Sequence, residues 1–238
     1  MAVPSYYVSP EQIMQDRAEY AKKGIARGRS TIAIEYDEGI LLLADNPSSL
    51  KKISEIYDRI AFAGAGKYSE FENLRKAGIR HADMKGYLYS REDVNACSLA
   101  NAYSQVLGTL FSQETKPHEV EILVVEIKNG TGRSVEIYRI SFDGSIFDEK
   151  GFTVIGGKAD TLYTYLKSRH QIMTLQNSIT LCVQALKECY RQEVLPEGLE
   201  IAVLERRCSG RAFRRLSLSE YASYLNAAPP PAQSSDPT

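Results

Sequence analysis

No apolar run in this chain of 238 residues approaches the ~20 needed to cross a membrane. The opening stretch MAVPSYYVSPEQIMQDRAEYAKKG turns polar by Ser9 and lacks the hydrophobic segment of a secretory signal. Net charge is scarce too: 29 Lys and Arg against 30 Asp and Glu leave -1. No bulk field therefore favours nucleic acid or a membrane surface. The four cysteines, Cys97, Cys182, Cys189 and Cys208, form no CxxC pair. A chain this long can bury a core without disulfides, so reduced thiols and a cytoplasmic location are the expectation. His81, His118 and His170 are scattered, with neither HExxH spacing nor a cysteine pair, and support no metal site. No cofactor is expected. There is no GxSxG elbow and no internal repeat. Gly64-Ala65-Gly66-Lys67 lacks phosphate-loop spacing and has Tyr68 where Ser or Thr should stand. Close packing of strand on helix explains it better, and the same holds for Gly156-Gly157. The run Arg206, Arg207, Arg211, Arg214, Arg215 is local and reads as a solvated or subunit-contact surface rather than a nucleic-acid interface.

What is present is a regular alternation of elements. Ser9-Pro10-Glu11-Gln12 predicts a helix start, with Ser9 as cap, Pro10 at the first position and Gln12 completing a capping box. Met14, Ala18, Ala21 and Ile25 then share one helical face. Two strands joined at Asp37-Glu38-Gly39 follow, and the second, Ile40-Leu41-Leu42-Leu43-Ala44, is apolar on both faces, as a covered central strand would be. RIAFAGA (59–65) predicts another. Helices are expected over about Lys67–Tyr87, with Phe71 and Leu74 inward and Gly78 as a weak point, and over about Arg91–Ser112. The second carries a stripe of Leu99, Tyr103, Val106 and Leu110. Strands return at 120–128, 133–141 and 151–157, the first two joined by the hairpin signal NGTG. Helices at about 158–169 and 175–193, a strand at 199–206 and a short helix at 217–225 complete the order. NAAPPPAQSSDPT suits a disordered tail. Paired helices between antiparallel strands predict an α+β fold in a single domain, with two stacked sheets and helices outside.

The pattern then becomes specific. SPEQ followed by RAEYAKKGIARG, then KKISEIYDRI, LGTLFSQETKPHEVEILVVEI and YRISFDGSI, resembles proteasome α subunits of the actinobacterial type, from Tyr6 to about Leu225. The resemblance implies a four-layer αββα sandwich of the N-terminal nucleophile hydrolase class. It divides the chain into a gating segment (1–8), the α-type domain (9–226) and a tail (227–238).

In the β subunits of that family the nucleophile is a threonine at residue one of the mature chain, with an aspartate sixteen residues on. Counting back from Asp45 reaches Arg29, a donor-only guanidinium that cannot attack a carbonyl. Activating a hydroxyl there also requires a free α-amine. Some 28 residues precede the strand, and they read as a capped helix rather than a loose propeptide. No catalytic residue is therefore expected. The alternative is a self-processing hydrolase that uses Ser30 or Thr31 as a new N-terminus.

By the same resemblance Asp45 and Lys52 match the aspartate and lysine that support the threonine in β subunits; without the nucleophile they have no catalytic work, and Asp45 reads rather as a structural residue at a strand end. Lys52, in Leu50-Lys51-Lys52-Ile53, is expected to line a pocket that receives the C-terminal carboxylate of a ring-shaped activator; a solvated surface lysine is the plainer reading. Met1, Val3, Pro4, Tyr6, Tyr7 and Val8 would plug an axial pore, against the simpler reading of a frayed terminus. The implied partners are neighbouring α subunits in a homo-heptamer, a β ring holding the catalytic threonine, a hexameric AAA ATPase and protein substrates in transit.

Overall fold

A computed structural model of the chain describes residues 9–128, 135–208 and 210–225. The segment 1–8, the turn Asn129–Gly132 and the tail 227–238 lie outside the described residues. Helix α1 (Pro10–Ala26) leads into β1 (Thr31–Tyr36), β2 (Gly39–Asp45), β3 (Ile53–Tyr57) and β4 (Ile60–Gly66). Helices α2 (Tyr68–Leu88) and α3 (Ala96–Gln113) follow, then β5 (Val120–Ile127), β6 (Val135–Ile140), β7 (Ile146–Glu149) and β8 (Phe152–Ile155). Helices α4 (Ala159–Lys167) and α5 (Leu175–Tyr190), strands β9 (Leu199–Glu205) and β10 (Phe213–Arg215) and helix α6 (Leu218–Tyr221) end the order.

Two five-stranded antiparallel sheets result. One runs β10-β9-β2-β1-β8, the other β3-β4-β5-β6-β7. Strand β2 sits at the centre of the first, and all seven of its residues are buried. Its parity explains why. Leu41 and Leu43 point out to a core built with α4 and α5, while Ile40, Leu42 and Ala44 point in toward the second sheet. The inward layer is rich in small side chains (Ala33, Ala61, Ala63, Ala65 and Ala202), which lets the sheets close on each other. On the far side α2 and α3 cover the second sheet through Phe71, Leu74, Leu99, Tyr103 and Leu107. The architecture is the expected αββα sandwich.

Several local readings are corrected. Ser9 does cap α1, accepting from the Gln12 amide at 3.2 Å, but the Gln12 side chain turns to Asp16 at 2.7 Å, so the reciprocal half of the capping box is absent. Met14 remains 41% exposed on the expected apolar face. Helix α3 begins at Ala96, not Arg91: a short 3-10 turn takes Arg91–Asp93, and Asn95 caps the helix through the Ser98 amide at 2.9 Å. Val106 is exposed and Leu107 is buried, because the contact face follows Ala96, Ala100, Tyr103 and Leu107. Strands β3, β7 and β10 were not expected. They are short edge or near-edge strands whose pairing partners, rather than their own pattern, make them strands.

Gly78 is no weak point. A side chain there would overlap the Tyr103 hydroxyl, and Tyr103 is held almost wholly buried between α2 and α3. In an exposed helix Gly→Ala stabilises by ~1 kcal/mol. Here the sign reverses: Gly78→Ala is expected to destabilise by about 1–3 kcal/mol through overpacking, read as a lowered Tm in thermal denaturation.

Candidate functional site

The residues that spacing singled out meet at one end of the first sheet. Arg29 immediately precedes Ser30 and β1, and Asp45 closes β2, which pairs antiparallel with β1 through Thr31 opposite Ala44. The pairing places Arg29 across from the end of β2, and its Nη1 donates to both Asp45 carboxylate oxygens at 2.9 and 2.8 Å. Asp45 is largely buried, while Arg29 stays about half exposed. Lys52 comes from the other sheet, just before β3. Its Nζ donates to the carbonyls of Arg29 at 2.9 Å and Asp45 at 3.4 Å. It is thus a tethered lysine rather than a freely solvated one. Burial pushes its amine down from the ordinary lysine value to about 8; the nearby Asp45 and Glu200 carboxylates oppose that fall, and Arg29 adds to it.

The neighbouring hydroxyls are occupied by packing. Ser30 is fully buried, donates to the Gly157 carbonyl and lies 2.7 Å from the Tyr190 hydroxyl, which donates to the same carbonyl at 3.0 Å. Thr31 is buried too, and its Oγ1 has no hydrogen-bond partner among the described residues. Helix α1 runs ahead of both, with Ala21 and Ile25 packed on Phe142. Gly156 (φ +91°) and Gly157 serve close approach, but to the connection between α1 and β1 rather than of strand to helix: a side chain on either would strike the backbone of Gly28 or Arg29, and the Gly157 amide donates to the Gly28 carbonyl at 3.0 Å. A cleft of about 320 Å³ opens beside Arg29 and Asp45, walled by Pro47, Tyr190, Leu195 and Gly198 among others.

Set against known proteins, this arrangement has a clear relation. The profile of a family described as "Proteasome subunit" matches residues 25–204, more than half of the chain. The chain belongs to the proteasome family. Its relatives include the protein named proteasome subunit alpha of Acidimicrobium ferrooxidans, 49% identical over 230 residues that cover 96% of this chain and 98% of the relative. That of Sanguibacter keddieii is 52% identical over 223 residues, covering 91% and 87%. That of Rhodococcus opacus is 46% identical over 245 residues, covering 100% and 94%. Similarity at this level places the chain on the α side of the proteasome family. Among the described residues no helix is long and apolar enough to cross a membrane.

Some residues of the site escaped the sequence reading. Glu200 is 4% exposed and accepts from the amides of Lys52 at 2.8 Å and Ile53 at 3.2 Å, from the Asn46 side chain at 2.8 Å and from Arg215. The available signal was parity. In LEIAVLER, Glu200 shares the inward face with Ala202 and Leu204, an odd place for a carboxylate without partners. The arginine run is likewise resolved into ion pairs: Arg206 with Glu35, Arg207 with Glu38, Arg211 with Glu55, Arg214 with Glu205 and Glu220, and Arg215 with Glu200. Of the cysteines, all free, Cys182 is buried in the core and Cys97 is exposed.

The Lys52 environment yields a titration test. Because burial lowers the folded amine, the unfolded chain binds the extra proton between about 8 and 10.5, and stability rises with pH across that window. Isotope-labelled reductive methylation with NMR should show one lysine titrating near 8. Asp45→Asn, which removes the carboxylate that favours the charged form, should move that midpoint lower; a midpoint near the ordinary lysine value would refute the burial argument.

Proposed function

We propose that this chain is the non-catalytic α subunit of a 20S-type proteasome core. The carrying observation is Arg29: the position where a β subunit would present its threonine holds a guanidinium paired to Asp45. A guanidinium donates hydrogen bonds but has no lone pair to attack with. Proteolysis would then belong to the threonine of a β ring, and this subunit would form the outer heptameric ring, admit unfolded chains and exclude folded ones. Obligate interfaces of such a ring bury ~2,000 Å² or more. The exposed face of α1, with Ile13 44% and Met14 41% exposed, offers apolar surface for that contact.

Lys52 is the residue assigned to activator docking. Its ammonium lies at the mouth of the sandwich on backbone carbonyls, and a lysine ammonium has three donors, one more than those carbonyls take. A C-terminal carboxylate is the matching acceptor. One such contact is worth only ~0–1 kcal/mol when exposed. Several tails of a hexameric AAA ATPase on one ring gain ~10²–10⁴ in avidity, so each contact stays reversible while the sum is useful. In a cytoplasmic setting this ATPase would deliver proteins tagged by a ubiquitin-like modifier, Pup. The segment Met1–Val8, with Val3, Pro4, Tyr6 and Tyr7, is assigned to the gate.

Co-purified with its β partner, the particle lacking residues 2–8 should hydrolyse small peptides faster than the intact one, and Lys52→Ala should abolish stimulation by the ATPase while leaving unstimulated hydrolysis in place. An unchanged rate after the deletion sinks the gate. A mature chain that has lost its first 29 or 30 residues by intact mass, with Ser30 or Thr31 as new N-terminus, sinks the non-catalytic reading.

A further inference from the structure

Lys52 can only meet a ligand if its backbone is held, and the loop that carries it, from Asn46 to Lys51, has no regular structure of its own. What holds it comes from far away in the chain. Glu200 Oε2 accepts from the Lys52 amide and from Asn46 Nδ2, both at 2.8 Å, and Oε1 accepts from the Ile53 amide and from Arg215. Arg215 also donates to the Ile53 carbonyl. Asn46, in turn, donates to the Leu50 carbonyl at 2.7 Å and accepts from the Ser48 amide, folding the loop over itself. The Lys52 carbonyl accepts from the Gly64 amide at 3.1 Å. Both peptide groups that flank the Lys52 Cα are therefore pinned, one by a carboxylate of the first sheet and one by a strand of the second.

We infer that Glu200 is the positioning residue of the carboxylate-docking site: it binds no ligand itself but fixes the 46–53 loop so that the Lys52 ammonium is presented in one place. This rests on the docking role assigned to Lys52 above. The chemistry is demanding. A buried carboxylate is tolerated only with its lone pairs satisfied, and four donors converge here, two of them backbone amides that no other residue replaces. Charge-assisted bonds to amides are about twice as strong as neutral ones, so the loop geometry is stiff in proportion. A ligand that must find its partner already oriented gains affinity by not ordering it.

The test uses the full chain assembled with its β partner and, as probe, a fluorescent peptide copied from the C-terminus of the partner ATPase, with a free α-carboxylate, against its C-terminal amide. Glu200→Ala should weaken the carboxylate peptide about tenfold, the scale of one lost oriented contact, while amide hydrogen exchange accelerates at Lys52 and Ile53 and the ring stays assembled. Glu200→Gln, which keeps acceptor oxygen, should restore part of the affinity. Should Glu200→Ala fail to assemble, Asn46→Ala loosens the same loop from its other side and is expected to weaken the peptide less, with the ring intact. Wild-type affinity in whichever of these assembles, while Lys52→Ala loses binding, overturns the positioning role. Wild-type affinity in Lys52→Ala instead overturns the docking reading, and the exchange rates at Lys52 and Ile53 then judge the clamp alone: unchanged rates in Glu200→Ala refute it.

Discussion

A strand buried along its entire length governs this molecule. Gly39–Asp45 has sheet neighbours on both edges and side-chain layers on both faces, so every polar group at its ends must be answered by protein rather than by water. The apolar body of the strand drives the sandwich together. Its last residue, Asp45, then arrives at the rim as a carboxylate with little solvent, and the residue opposite must be a donor. Arg29 meets that demand. The end of the central strand is thus closed by an ion pair within the chain.

Electrostatics at this rim are therefore structural before they are functional. An exposed ion pair contributes at most about 1 kcal/mol, whereas removing one member of a buried pair costs about 3–5 kcal/mol. Arg29–Asp45 lies between these limits, with one partner half in water and the other largely out of it. Arg215–Glu200 is nearer the buried limit, because Glu200 is almost fully enclosed and also satisfies two amides. The rest of the arginine run, each member facing a carboxylate of its own chain, spends its charge internally and leaves little field for an anionic partner.

Much of this was legible from residues alone. The both-face apolar run of β2, the Ser9-Pro10 helix start and the helical spacing of Phe71, Leu74, Leu99 and Tyr103 act locally, over a turn or a pleat, and pattern reading captures local physics. Arg29, Asp45 and Lys52 were found by a spacing that resemblance supplied, and the fold brings them together. What stayed hidden depends on partners distant in sequence. Strand β10 exists because β9 offers it hydrogen bonds; the Phe-Arg-Arg pattern itself says nothing. Leu107 rather than Val106 enters the core because the face of α3 packed on the second sheet runs through Ala96, Ala100, Tyr103 and Leu107. Glu200 holds Lys52 from 148 residues away, a relation no window along the chain can contain.

Lys52 belongs to the strand-β3 side of the sandwich, yet its ammonium ends on carbonyls of the opposite sheet, at Arg29 and at Asp45. It is a rivet through two plates. Glu200 reaches back the other way, from the first sheet to the Lys52 and Ile53 amides, so the two layers are stitched at this rim by a side chain from each.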